Sequence, residues 1–330
     1  MNNIKKIGLS ALAGSLVAIS ANAAEVSVSG SVELTYADTD GNNGNELTGN
    51  SFGSHSGLTF SGSGDVGFGT VSFTRSINDT NTGWASSFQT LDMGDMGTLS
   101  FDSTGGALVG LQANDDTLPT AYEEVWTGVS SSGVSGVGST NVIGYRNTIE
   151  GVSISAGYTN GEGAASTGES TTSGAGAHGS TAGVHLSMSP IDGLTVGVGV
   201  SDSSATSKGV QTSDTSTLQG TVTYAMGPVA VGYREAEVNN GGTKAASTEI
   251  TAYSVAFNVN ESFAISYGEQ EKSNKGVGTT AAVTEDVTGI SAAYTMGAAS
   301  VRLNHSEADN ALNVLSAEDD TTEISLALSF

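Results

Sequence analysis

Apolar and small polar residues alternate one by one along many segments of the sequence. Four of the clearest are 152–159, 194–201, 218–226 and 263–268. Successive side chains of a strand point to opposite faces, so each segment has one apolar and one polar face. A soluble sandwich would show this too, but here the polar face carries Ser, Thr, Gly and Ala instead of Lys and Glu. An apolar outside and a small polar inside predict a closed barrel in a lipid bilayer.

Short and long connections follow one another between these segments. Outer-membrane barrels have tight turns on the periplasmic side and longer loops outside. Counting the segments predicts an all-β fold, a 16-stranded antiparallel transmembrane β-barrel whose strands begin with Val26–Ala37 and end with Thr322–Phe330. The long connections are predicted at 38–53, 103–139, 160–180, 202–214, 238–247, 272–285 and 307–320, with a shorter one at 78–83.

The last strand carries the sharpest local pattern. Ile324, Leu326 and Leu328 alternate with polar or small residues, and the sequence stops on Phe330. A strand that ends on a C-terminal Phe resembles the sorting signal of outer-membrane barrel proteins. We therefore expect Phe330 to act as an assembly signal.

The first residues have the three parts of a secretory signal peptide. Lys5 and Lys6 precede a short apolar stretch at 7–19, and Ala21-Asn22-Ala23 supplies a small-x-small cleavage site. We expect cleavage after Ala23, with Ala24 as the neighbouring position. Residues 1–23 would then be a cleaved signal peptide and residues 24–330 the barrel domain. A retained membrane anchor is the weaker alternative, because the apolar stretch is short.

Composition excludes several classes of protein. There are no cysteines, so disulfides do not hold this exported chain together. Removing residues 1–23, which hold two lysines and no acid, changes the net charge of −24 to −26. Such a chain has no basic surface for nucleic acid. With 46 glycines and only 3 prolines, composition alone also allows a secreted or surface-attached adhesin.

Four features together resemble the general porin family of Gram-negative bacteria, especially its alphaproteobacterial branch. They are Ala24–Gly30, Phe68–Val71, the strand–turn–strand segment Asn141–Tyr158, and Phe330. The resemblance covers essentially the whole mature chain. It implies a homotrimer embedded in outer-membrane lipid, with the third external loop folded into the pore as a constriction. The implied function is passive diffusion of small hydrophilic solutes and ions.

The longest connection, 103–139, is where the resemblance places the constriction loop, and it carries four acids and no Lys or Arg. Porins commonly set such acids opposite arginines on the barrel wall, which produces a transverse field. By parity three arginines and Glu33 face the lumen, so few cations oppose the acids, and we expect a preference for cations. The candidate pore residues are Asp115, Asp116, Glu123, Glu124, Arg146, Arg234, Arg302 and Glu33.

Other acids crowd the external loops, where they form either a solvated surface or a Ca²⁺ site; no other cofactor is expected. Four scattered histidines lack metal-ligand spacing, and no nucleophile or phosphate-binding motif appears, so we predict no enzyme. A substrate-selective channel is the first alternative function and would need an aromatic track or binding cluster on the lumen wall. The adhesin is the second, and it leaves the terminal Phe strand unexplained.

Overall fold

The computed structural model describes residues 26–41, 49–79, 83–104, 118–134, 136–137, 141–160, 178–207, 210–241, 247–274 and 282–330. The expected signal peptide lies outside these residues. Sixteen strands are described: β1 Val26–Gly41, β2 Phe52–Asp65, β3 Thr70–Asn78, β4 Ser86–Asp92, β5 Thr98–Thr104, β6 Val142–Ile149, β7 Val152–Asn160, β8 His178–Ile191, β9 Leu194–Ser207, β10 Val210–Met226, β11 Val229–Gly241, β12 Thr248–Asn260, β13 Phe263–Asn274, β14 Val283–Met296, β15 Ala299–Asp309 and β16 Glu318–Ser329.

Each strand pairs antiparallel with its neighbours in sequence, and β1 pairs with β16 to close the barrel. This confirms the predicted 16-stranded antiparallel barrel. The last residue completes the closure, because the backbones of Gly30 and Phe330 exchange two hydrogen bonds of 2.8 and 2.9 Å. Short 3-10 turns at Gly94–Met96 and Ala311–Asn313 lie in the connections between β4 and β5 and between β15 and β16. Within the described ranges no helix is long and apolar enough to cross a membrane.

The two faces of the wall differ as the alternation predicts. Outward residues such as Leu34, Val200 and Leu218 are large, apolar and about half exposed. Inward residues such as Ser201 and Thr217 are small, polar and buried. A soluble sandwich would bury its large apolar side chains in a core. This chain exposes them instead, as expected for a surface covered by lipid.

Short turns lie at the same end of the barrel as Val26 and Phe330, and long connections lie at the other end. Several strands run further toward the long-loop end than predicted. The predicted loop at 202–214 is wrong, because β9 and β10 continue through most of it. Above the lipid both faces of a strand contact water, so alternation fades from the sequence although backbone pairing continues.

Alternation is poor near 84–102 for a local reason. The β4–β5 register shifts between Ser87 and Phe88. In β4 the large Phe88 has the inward parity of Thr90, whereas the polar Gln89 shares the outward parity of Leu91. The apolar-out pattern is therefore inverted at these two residues, while the backbone pairing that defines the strand persists.

The position of Phe330 predicts an assembly role separate from packing. Its side chain is 75% exposed, so it contributes little to folded stability through burial. We expect deletion of Phe330, or Phe330→Ala, to lower the amount of folded barrel in membranes more than Phe60→Leu or Phe257→Leu. Phe330→Ala keeps the two backbone hydrogen bonds to Gly30, so this variant tests the contribution of the side chain alone. Equal amounts of heat-modifiable barrel for all four variants would contradict the prediction.

Candidate functional site

The connection between β5 and β6 folds into the barrel. We call its described part, residues 118–134 and 136–137, the internal loop. It lies against the inward face of β11–β16, so the described loop covers one side of the lumen. Three hydrogen bonds join its beginning to wall serines: Ser254 Oγ donates to Pro119 O (2.8 Å), Ala121 N to Ser266 Oγ (2.9 Å) and Tyr122 N to Ser291 Oγ (3.1 Å).

An apolar cluster lies between the internal loop and the wall. The loop contributes Val125, Trp126 and Val129, of which Val129 is only 1% exposed. The wall contributes small residues, including Ala252 and Ala308. Burial of these side chains inside an otherwise polar lumen stabilises the loop against the wall by the hydrophobic effect.

Gly232 makes space where the internal loop begins. A Cβ at this position would lie 2.5 Å from Pro119 Cδ and 3.0 Å from Leu118 Cδ2. Real Cβ atoms do not approach other atoms so closely, so any larger residue here would push the loop toward the centre of the lumen. The glycine that appears in the sequence as part of the small inward pattern thus also sets how closely the loop approaches the wall.

Arg234 lies behind the internal loop and is completely buried. Its Nη2 donates to Gln270 Oε1 at 2.7 Å and to Ser132 O at 3.3 Å. Its guanidinium carbon lies 4.6 Å from the centre of the Trp126 ring, a cation–π contact. Arg234 therefore attaches the loop to the wall and does not face the water of the lumen.

Arg302 makes a similar contact closer to β1. Its guanidinium carbon lies 4.4 Å from the Tyr122 ring centre, and its Nη2 forms a 2.5 Å ion pair with Glu33 Oε1. The Tyr122 hydroxyl donates to Glu323 Oε1 at 2.8 Å. Burial, with the neighbouring Glu323, raises the pKa of Tyr122, so the phenol remains protonated and keeps this donor.

A second ion pair under the internal loop was not predicted from the sequence. Lys272 Nζ lies 2.5 Å from Glu285 Oε2, and both side chains are buried. Ser130 of the loop bonds both of them, donating to Glu285 Oε2 and accepting from Lys272 Nζ, each at 2.7 Å. The two residues fall at the ends of segment 272–285, which the sequence pattern predicts as an external loop. The inward parity that Lys272 shares with Gln270 was the available signal.

Those predicted pore residues that the structure describes do not form one cluster. Glu123 and Glu124 are partly exposed on the internal loop, whereas Asp115 and Asp116 lie outside the described residues. Arg146 has inward parity on β6, close to the short turn at 150–151, and is exposed. The other two predicted arginines contact the internal loop, as described above.

The wall formed by β6–β10 is rich in hydroxyls. Inward positions of β6–β10 are mainly Ser, Thr and Gly, with Arg146, His185 and Gln219 among them. The described part of this wall is therefore smooth and polar. No aromatic track runs along it in the described strands, a feature that a substrate-selective channel would need.

No group of three or more Cys, His, Asp or Glu in the described ranges is arranged to hold a metal ion. Some of the loop acids, including Glu162 and Glu169, lie outside those ranges. Calcium binding at the external loops stays a prediction.

A family model described as "Gram-negative porin" matches residues 8–330. The chain therefore belongs to the Gram-negative porin family. Proteins of this family are outer-membrane channels for passive diffusion and not enzymes, which confirms the predicted passive-diffusion function and outer-membrane location. A comparison with curated protein sequences found no significant match.

Solved porin structures share the fold at low sequence identity. The anion-selective porin from Comamonas acidovorans superposes with a TM-score of 0.64 at 14% identity, over 93% of this chain and 100% of that one. OmpT, an outer-membrane protein of Vibrio cholerae, gives 0.66 at 13% identity, over 93% and 98%. Salmonella typhi OmpF, solved in complex with daunomycin, gives 0.66 at 14% identity, over 94% and 99%.

Proposed function

We propose that this porin prefers cations and that the internal loop forms the narrowest part of its channel. The observation that carries the proposal is the burial and pairing of the cationic side chains on the inward wall. Arg234 is completely buried behind the loop, and Arg302 and Lys272 are each paired with a carboxylate. Arg146 is the exposed arginine among the inward positions of the described strands.

Carboxylates on the internal loop also favour cations. Glu123 and Glu124 are partly exposed on the loop that borders the passage. The field inside a narrow passage with low-dielectric walls is concentrated, so these negative charges raise the local cation concentration. The large negative net charge of the whole chain acts in the same direction.

A reversal potential measured across a KCl gradient tests this proposal directly. We expect the sign that indicates cation preference, and we expect the potential to decrease as ionic strength rises. Surface charges are screened over about 10 Å at ~0.1 M salt, a distance comparable with a channel radius. A potential of the opposite sign would contradict the proposal. The selectivity stated for the Comamonas acidovorans porin does not transfer, because that likeness shows the fold alone.

We also propose that the protein assembles as a homotrimer through the outward face of β2–β4. Arg75 lies on this face, between Phe60 and Ser87 in register, and its Nη1 donates to the carbonyls of Thr74 and Phe88 at 3.0 and 3.2 Å. A basic residue facing lipid near the bilayer midplane costs roughly 2–4 kcal/mol in barrels. A subunit interface would shield the guanidinium from lipid and supply further acceptors. A trimeric form of OmpT from Vibrio cholerae is among the similar structures, which supports this assembly.

Arg75→Glu should weaken the trimer without unfolding the barrel. We expect dissociation to monomers at a lower temperature than the parent, because the substitution reverses the charge and replaces hydrogen-bond donors by a carboxylate that faces the same acceptors. Gel electrophoresis of heated and unheated samples separates the trimer, the folded monomer and the unfolded chain. Arg146→Gln changes the charge of an inward arginine and should leave the trimer unchanged. A monomeric parent protein, or an Arg75→Glu trimer of equal heat stability, would show that this face is not the interface.

A further inference from the structure

The connection between β15 and β16, residues 310–317, also folds inward. We call it the β15–β16 loop. Its amide side chains bond the backbone of β13 and β14: Asn310 Nδ2 donates to Thr284 O at 2.9 Å, and Asn313 Nδ2 donates to Lys272 O at 2.8 Å and Val283 O at 3.1 Å. This short loop is thus fixed to the two strands that carry the buried Lys272–Glu285 pair.

The backbone of this loop is unusual for a sequence without glycine. Asn310, Leu312, Asn313 and Ser316 all have positive φ, between 52° and 63°. Residues other than glycine rarely adopt this left-handed conformation unless the surrounding contacts enforce it. Here the amide of Asn310 also accepts from Ser316 N at 2.9 Å, closing the loop on itself. The conformation is therefore determined by specific bonds.

Glu285 connects this loop to the internal loop through its two carboxylate oxygens. Oε1 accepts from Leu312 N at 2.6 Å, in the β15–β16 loop. Oε2 accepts from Ser130 Oγ at 2.7 Å, in the internal loop, and lies 2.5 Å from Lys272 Nζ. The carboxylate is completely buried, so both oxygens depend on these partners in place of water.

Apolar contacts join the same two loops. Ala311 and Ala317, at the two ends of the β15–β16 loop, are buried in one cluster with Trp126 and Val129 of the internal loop. The cluster and the Glu285 bonds are independent contacts, one apolar and one charged. Both place the β15–β16 loop against the internal loop.

We propose that the β15–β16 loop is a clasp that fixes the internal loop to the barrel wall, with Glu285 as the positioning residue that joins them. Glu285 does not face permeating solutes. It acts through Ser130 and Lys272, and so sets where the internal loop lies. Any effect of the clasp on the ion current rests on the proposed function, in which the internal loop narrows the channel. The attachment of the internal loop to the wall does not depend on that proposal.

A thiol buried under the internal loop reports whether the loop is attached. The protein has no cysteine, and Val129 is 1% exposed, so Val129→Cys places a single thiol where a water-soluble maleimide reaches it only when the loop detaches. The first variant adds Glu285→Ala. The second replaces residues 310–317 by the dipeptide Asn-Gly, because Asp309 and Glu318 are paired and a two-residue turn can connect them. The control adds Leu315→Ala, a residue of the same loop that is 74% exposed.

We expect both variants to be labelled at least about tenfold faster than the parent, since local opening controls the access of reagents to buried groups. Labelling of the control should match the parent. Heat-modifiable mobility identifies the folded barrels that are compared. If Glu285→Ala fails to fold, the shortened loop decides the question. Labelling of the folded, shortened variant within twofold of the parent would overturn the proposal, whatever the ion preference of the channel.

Discussion

Replacing Glu123 and Glu124 together by Gln should lower the ratio of cation to anion permeability at least about twofold. In water, a unit charge ~10 Å from a permeating ion changes its energy by ~0.4 kcal/mol, which is about twofold in local concentration. Two partly exposed acids on the internal loop act in the same direction, and few exposed wall cations oppose them. Reversal potentials in a KCl gradient measure the ratio, and the effect should shrink in high salt.

The matched control removes the same charge from the outside of the barrel. Glu235 and Glu271 are exposed and have outward parity on β11 and β13, so Glu235→Gln with Glu271→Gln should change the ratio much less. Arg146→Gln should strengthen cation preference. The opposite pattern would be an anion-preferring parent that becomes cation-preferring only after Arg146, Arg234 and Arg302 are neutralised. That result would show that the wall arginines, and not the loop acids, determine the ion selectivity of the channel.

The second large effect is expected from Arg234→Met, which removes the buried guanidinium behind the internal loop. Its loss leaves Gln270 and the carbonyl of Ser132 without this donor and removes the contact with Trp126. Together these changes should weaken loop attachment by ~2–4 kcal/mol. We expect larger single-channel conductance, greater noise in the open-state current, and faster entry of larger sugars in a liposome-swelling assay.

Arg146→Gln separates loop attachment from charge, because it neutralises an exposed arginine on β6, whereas the described hydrogen bonds of the internal loop are made to other strands. This control should shift selectivity while conductance noise remains that of the parent. If Arg234→Met gave a folded barrel with parental conductance and noise, the buried arginine would not be holding the loop. The remaining serine bonds and the apolar cluster would then be sufficient.

The sequence by itself determined the architecture. In lipid every strand must pair, and its outward side chains must be apolar, so the constraint is local and repeats every second residue. The alternation at 194–201 and the terminal strand ending at Phe330 were therefore enough to predict a closed barrel and its class. Strand ends were harder to predict, as 202–214 shows, because strands beyond the bilayer no longer carry the pattern.

Only the tertiary structure decided what the inward charges do. Parity places Arg146 and Arg234 on the same face of the wall, yet one is exposed and the other is completely buried. The difference depends on which part of the lumen the internal loop covers, and Trp126 meets Arg234 only after the barrel closes. The same is true of Glu285, which joins two loops far apart in sequence. Alternation is a property of neighbouring residues, whereas the environment of a charge depends on distant segments that share no pattern with it.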